Sequence, residues 1–170
     1  TRALETTQHI LAGSDQQWIP VHKSWRLNER HYGGLQGLNK DDARKKWGED
    51  QVHQWRRSYD VRPPRESEEQ REAYLKNRRY QHIDHRMMPY CESLKDTLER
   101  VVPFWTDHIS QHLLDDKTVL VSAHGNSIRA LIKYLEGLSE EDIVGYEIKT
   151  GAPLVYELTD DLVVKDKYYL

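Results

Sequence analysis

Thr118-Val119-Leu120-Val121-Ser122-Ala123-His124-Gly125-Asn126-Ser127-Ile128 is the stretch that decides the fold. Its first six residues form a short, partly β-branched run that predicts a strand. His124-Gly125-Asn126 ends the run, and Ile128, Leu131, Ile132 and Leu135 then recur at helical spacing. Strand, tight turn and helix make one α/β unit. The unit predicts a three-layer sandwich with a mostly parallel sheet, helices on both faces and a site at the strand carboxyl ends. His124 stands at such an end, where backbone N–H groups and a helix N-terminus favour phosphate. A histidine that only caps the turn is the alternative reading.

Outward from this unit, residues 2 to 12 read as an amphipathic helix through Ala3, Leu4, Thr7, Ile10 and Leu11, with Gly13 as its stop. Val21 to Leu27 alternates apolar and polar residues and predicts a half-buried strand. Asn39 is placed to cap a helix over 40 to 47, and Gly48 separates it from a second over 50 to 58. Residues 65 to 86 are strongly charged with little apolar periodicity and predict a solvated insertion or lid. Ser93 with Asp96 begins a helix whose Leu94, Leu98, Val101, Val102, Trp105 and Ile109 form one face, and Pro103 should kink it. Leu154 to Leu158 and Leu162 to Tyr168 read as a hairpin around Asp160-Asp161.

At 170 residues the chain has the size of one domain and can bury a core. Charged residues are 31% and mean hydropathy is -0.88, yet 37% hydrophobic residues and five Trp argue against disorder. The net charge of -3 supplies no general attraction for nucleic acid or an anionic membrane, so any anion site must be local. One cysteine, Cys91, excludes an internal disulfide framework and suits a reducing compartment. No apolar run approaches membrane-spanning length and no secretory signal opens the chain, which points to the cytoplasm.

A second stretch carries the chemistry. Leu27-Asn28-Glu29-Arg30-His31-Tyr32-Gly33-Gly34, followed by Gly37-Leu38-Asn39-Lys40, combines one acid with several cations and glycines in one loop. A carboxylate beside Arg and His can move a proton while its neighbours neutralise an anion. An isolated loop Glu is more often merely solvated. Arg2 at a helix start is poorly placed for the helix dipole, which suggests an anion partner, although the second residue of a chain is often just exposed. Arg56-Arg57 lie near a helix C-terminus, where cations are favoured in any case.

With Gln54-Trp55-Arg56-Arg57-Ser58-Tyr59, Cys91-Glu92-Ser93-Leu94-Lys95-Asp96, Ser122-Ala123-His124-Gly125-Asn126-Ser127 and Thr150-Gly151-Ala152-Pro153-Leu154-Val155-Tyr156-Glu157, the loop resembles the cofactor-dependent phosphoglycerate mutases of the histidine phosphatase superfamily over nearly the whole chain. That resemblance implies interconversion of 3-phosphoglycerate and 2-phosphoglycerate through a phosphohistidine, in glycolysis and gluconeogenesis, primed by 2,3-bisphosphoglycerate and needing no metal. It implies Glu29, His124 and Arg2 as catalytic residues, Glu29 handling the hydroxyl proton and the other two stabilising the transferring group. Substrate phosphate and carboxylate would be held by Arg30, His31, Tyr32, Lys40, Arg56, Arg57, Gly125 and Asn126. Small-molecule phosphoglycerates and a homo-oligomeric partner, in a dimer or tetramer, are implied, with neither nucleic acid nor membrane.

The family's phosphoryl-accepting His lies in an Arg-His-Gly motif at the end of an opening strand, and that tripeptide is absent from residues 1–170. The chain therefore looks N-terminally truncated, a single domain without the opening strand and the C-terminal tail, and inactive as a fragment. A bisphosphoglycerate mutase or phosphatase is the alternative that shares these residues. A non-catalytic binder of phosphorylated ligands is another, should the chain truly start at Thr1. His82-Ile83-Asp84-His85 and the pair His108 and His112 lack a third ligand at fixed spacing, so surface histidines are expected there. Glu29, His124, Arg2 and Arg56 are expected around one pocket.

Overall fold

A computed structural model describes residues 1–170. Within the single domain expected from the length, the backbone forms two compact units, Thr1–Glu29 with Leu98–Leu170, and Arg30–Thr97.

The first unit opens with α1 (Arg2–Gly13). The chain returns to it within α5 (Leu94–Phe104), which runs into a π-helical turn at Trp105–Ile109 and then α6 (Ser110–Leu114). Pro103 lies inside α5 and donates no backbone hydrogen bond, and the wider turn begins two residues after it. α7 (Gly125–Glu136), α8 (Glu140–Gly145), β1 (Leu154–Leu158) and β2 (Val164–Tyr169) complete the unit. Its buried apolar residues include Val101, Trp105, Ile109, Ala130, Leu131, Ile132 and Ile143. The Trp105 ring meets Tyr134 edge-on at 6.4 Å, which sets the π-helical turn against α7.

β1 and β2 pair antiparallel, Leu154 opposite Tyr169, as the expected hairpin. Glu136 at the end of α7 secures it. Its carboxylate takes Lys167 Nζ at 2.7 and 2.9 Å and the Tyr156 hydroxyl, and burial together with that carboxylate pushes the Tyr156 phenol far above its ordinary range.

This hairpin is the whole regular sheet, and the mostly parallel sheet expected from the sequence is not seen. Thr118–Ala123 leads into α7 without joining a ladder. A β-branched run favours extended backbone, but a parallel ladder has to recruit a distant strand, whereas a hairpin brings its own partner. Val21 to Leu27 also differs from expectation. Trp25–Leu27 form a 3-10 turn capped by the Ser24 hydroxyl, with Leu27 N–H donating to Ser24 O at 3.2 Å and Asn28 N–H to Trp25 O at 2.9 Å. These backbone hydrogen bonds are satisfied locally, so the apolar alternation marks sidedness without a sheet.

In the second unit α2 (Lys40–Trp47) starts where the Asn39 side chain accepts the Asp42 N–H at 2.8 Å, and α3 (Glu49–Arg57) follows Gly48, whose φ of 83° few other residues adopt. Leu35, Ala43 and Val52 form a core against which Tyr32, Trp47 and Trp55 pack. Gly33, at φ 54°, is required by close approach, because a Cβ there would lie 2.1 Å from Pro64 O and 2.7 Å from Cys91 Cβ.

Residues 65 to 86 are more than a solvated insertion. α4 (Glu68–Leu75) begins with a Ser67–Gln70 capping box and presents a buried Arg71. Arg71 donates to Glu66 Oε1 (3.3 Å) and to the carbonyls of His85 (3.0 Å), Met88 (2.8 Å) and Pro89 (2.9 Å), and stacks on Tyr90. Charge density along the sequence conceals this, because the pair that is buried looks like the residues left in water. Arg71→Ala leaves the Glu66 carboxylate and three carbonyls without their donor, so urea unfolding should show a loss of about 3–5 kcal/mol. An unchanged urea midpoint would show that Arg71 is not holding the segment.

Candidate functional site

Within the first unit, the Glu29 loop is held by its carbonyls. Arg100, buried on α5, donates Nη2 to the carbonyls of Asn28 (2.9 Å) and Glu29 (3.3 Å) and Nη1 to that of Arg26. Ser127, in the first turn of α7, donates its hydroxyl to the Asn28 carbonyl at 2.5 Å. Glu29 is therefore tied through its backbone to the start of α7. His124 is the N-cap residue there, extended at φ -93° and ψ 161°, and its side chain makes no cap hydrogen bond. The positive end of the helix, opening at Gly125 and Asn126, is left without a side-chain cap from His124.

Arg2 belongs to the same group. Ser122 donates its hydroxyl to the Ala3 carbonyl at 3.0 Å, fixing the run before His124 to the first turn of α1. Burial holds the His124 imidazole below its ordinary titration range; the Glu29 carboxylate opposes that shift and the Arg2 guanidinium adds to it. Arg2, Glu29 and His124, far apart in sequence, are thus electrostatic neighbours. The neutral imidazole between an acid and a guanidinium can donate or accept a hydrogen bond, the carboxylate can carry a proton, and the Arg fork suits phosphoryl oxygens.

The second unit contains the other candidates. Arg30, only 2% exposed, donates Nη2 to the carbonyls of Trp55 and Arg56, both at 3.2 Å, and lies 4.6 Å from the Tyr32 ring centroid. His31 is buried as well. Its Nδ1 accepts the Gly33 N–H at 3.0 Å, Nε2 is 3.2 Å from Glu66 Oε2, and its backbone N–H donates to Glu92 Oε2 at 2.8 Å. Arg56 approaches the same Tyr32 ring at 5.2 Å, and its buried Nε has no hydrogen-bond partner in the protein, leaving a donor for an anion. Lys40, at the start of α2, and Arg57, at the end of α3, are exposed. The glycines serve the framework too, Gly34 donating its N–H to Pro64 O at 2.7 Å.

Arg100 and Ser127 escaped the sequence reading. The only signal of Arg100 is a cation one residue before Val101 on a helix that also offers exposed charges, and Ser127 resembles any residue of a helix first turn. Cys91 gains no nucleophilic character, since burial pushes its thiol upward against the opposing influence of Arg62 and Arg65.

The sequence pattern of the histidine phosphatase superfamily (branch 1) matches residues 1–76 and 64–168. Over all 170 residues the chain is 99% identical to a protein of Staphylococcus epidermidis named 2,3-bisphosphoglycerate-dependent phosphoglycerate mutase, spanning 75% of its length. A protein of the same name from Staphylococcus aureus is 81% identical over the same 170 residues, again across 75% of its length.

The opposing influences on His124 give a direct test. In an NMR titration of its imidazole, Glu29→Gln should lower the midpoint further, because the carboxylate favours the protonated ring, and Arg2→Ala should raise it. Since the folded value lies below the unfolded one, the stability tied to neutral His124 is present above the ordinary imidazole range and is lost as pH falls through the folded value. A midpoint indifferent to both substitutions would show that the three groups do not interact.

Proposed function

The chain belongs to the histidine phosphatase superfamily, and on that premise we propose that it supplies the body of a 2,3-bisphosphoglycerate-dependent phosphoglycerate mutase, an isomerase of glycolysis and gluconeogenesis that interconverts 3-phosphoglycerate and 2-phosphoglycerate. The observation that carries this reading is the 99% identity to a protein of that name across every residue of the chain. The same observation favours the mutase over the bisphosphoglycerate mutase or phosphatase alternative.

In this reading Glu29 is the acid and base. It removes the proton from the attacking hydroxyl of a phosphoglycerate and returns it in the reverse half-reaction, while Arg100 holds the backbone carbonyls of Asn28 and Glu29 from which the side chain extends. His124 and Arg2 share the charge of the transferring phosphoryl group. The neutral imidazole donates a hydrogen bond, Arg2 offers its fork, and the α7 N-terminus at Gly125 and Asn126 adds its dipole. Arg56, Arg57, Lys40 and Tyr32 bind substrate phosphate and carboxylate, and the buried Arg30 and His31 keep Tyr32 and the loop in position. The phosphoryl-accepting His is assigned outside residues 1–170.

The donor set fits 2,3-bisphosphoglycerate. Arg56 Nε is buried without a protein partner and Lys40 and Arg57 are exposed, a local concentration of cations in a chain of net charge -3. When bound, that molecule supplies the phosphoryl group that primes the histidine. Protein cations and amides provide the charge neutralisation, so this reaction invokes no metal.

The finer architecture belongs to the same proposal: a three-layer sandwich with a mostly parallel sheet, in which Thr118–Ala123 is the strand that delivers His124. So do a homo-oligomeric state, dimer or tetramer, and a cytoplasmic setting. No helix is long and apolar enough to cross a membrane.

Glu29→Gln in the full-length protein keeps the size and hydrogen bonding of the side chain and removes its titratable proton. General acid-base help is worth roughly 10²- to 10⁴-fold, so kcat should fall by that factor with little change in KM. Near wild-type kcat in a steady-state mutase assay would sink the assignment.

A further inference from the structure

His22, His108 and His112 come together in the first unit, and none of them belongs to the Glu29 and His124 group. One ring nitrogen from each lies within 4.8 Å of the others. The ring centroids are 4.7 Å apart for His22 and His108 and 5.2 Å for each of the other two pairs. The pair His108 and His112 has no third ligand in the sequence around it. The structure provides one from the segment that leads into the Trp25–Leu27 turn.

We propose that these three imidazoles form a binding site for a divalent transition-metal ion of the zinc type, with one coordination position left open. Imidazole is a preferred ligand of such ions, and three histidines with a vacant fourth position are an established zinc geometry. With Zn–N at about 2.0–2.1 Å, nitrogens around a tetrahedral ion stand about 3.3 Å apart. The present spacing needs a contraction that side-chain rotation can supply, because His22 is exposed and its loop forms no ladder.

Two features argue for this use over a chance gathering of surface rings. His108 lies in the π-helical turn, a form found mostly as isolated turns and often at functional positions, and Phe104 stacks on its ring at 5.0 Å, limiting how it can turn. Three imidazoles facing one another place a ring nitrogen from each where one ion can reach them all. A bound ion would clamp the His22 segment to the α5–α6 helix and so stabilise the fold by mass action.

The test uses the full-length, tag-free protein, dialysed against EDTA and then chelator-free buffer, titrated with Zn²⁺ in a calorimeter and scanned for thermal unfolding with and without Zn²⁺. One equivalent of Zn²⁺ and a rise in Tm are expected, and Co²⁺ should give the visible absorption of a four-coordinate ion. His22→Ala, His108→Gln and His112→Gln should each weaken Zn²⁺ at least about tenfold, with metal-free Tm and mutase activity near wild type for His22→Ala, whose side chain is exposed. Absence of Zn²⁺ binding in the wild type overturns the proposal. So does retention of wild-type affinity in His22→Ala, even if the two helix variants were to misfold.

Discussion

Three successive features of the Glu29 loop depend on one buried guanidinium. The carbonyls of Arg26, Asn28 and Glu29 all face Arg100, and Arg26 returns a donor from its own side chain to the Arg100 carbonyl at 3.5 Å. Buried carbonyls in a loop without ladder partners carry a desolvation cost, and a five-donor planar group can satisfy several at once. Ser127 extends the constraint to α7 through the Asn28 carbonyl, so the start of that helix and the backbone beside Glu29 share one reference. A lysine at 100 would keep the charge but lose the fork that spans neighbouring carbonyls.

The second unit solves a related problem the same way. Arg71 gathers three carbonyls and a carboxylate, and Arg30 takes the carbonyls that α3 leaves at its C-terminal end. In a chain with 31% charged residues, part of that charge is thus spent inside as backbone donors. Glu66 touches both Arg71 and His31, so the segment read as a solvated insertion or lid is bonded to the loop that carries His31.

This explains which parts of the fold were legible. Several helices announced themselves through local rules. Asn39 caps its helix with its side chain, Gly48 separates α2 from α3, and the Glu136-secured hairpin had its turn at Asp160-Asp161, whereas the Ser67-capped α4 lay in a segment read as a solvated insertion. These choices involve residues three or four apart, and sequence spacing reports them. Val21 to Leu27 was read as a strand because spacing reports which side is apolar, not whether a partner strand lies alongside. Glu29 and His124 were singled out through their motifs, Glu29 between Asn28 and Arg30 and His124 before Gly125. Arg100 and Ser127 were not, because their partners are backbone carbonyls, and a carbonyl has no signature in the sequence.

The histidines carry this contrast to its end. His124 and His108 sit in the same unit, and burial moves both below the ordinary imidazole range. A carboxylate and a guanidinium act on His124, and beside it lies a helix N-terminus, a set of groups of the kind that suits an anion. Around His108 stand two further imidazoles, so that ring is set among ring nitrogens of the kind that suit a cation. The residue type and the direction of the shift are the same in the two places. What differs is the neighbour set, and His22, the neighbour that turns a helical pair into a three-ligand cluster, reaches it from a segment whose position no periodicity predicts.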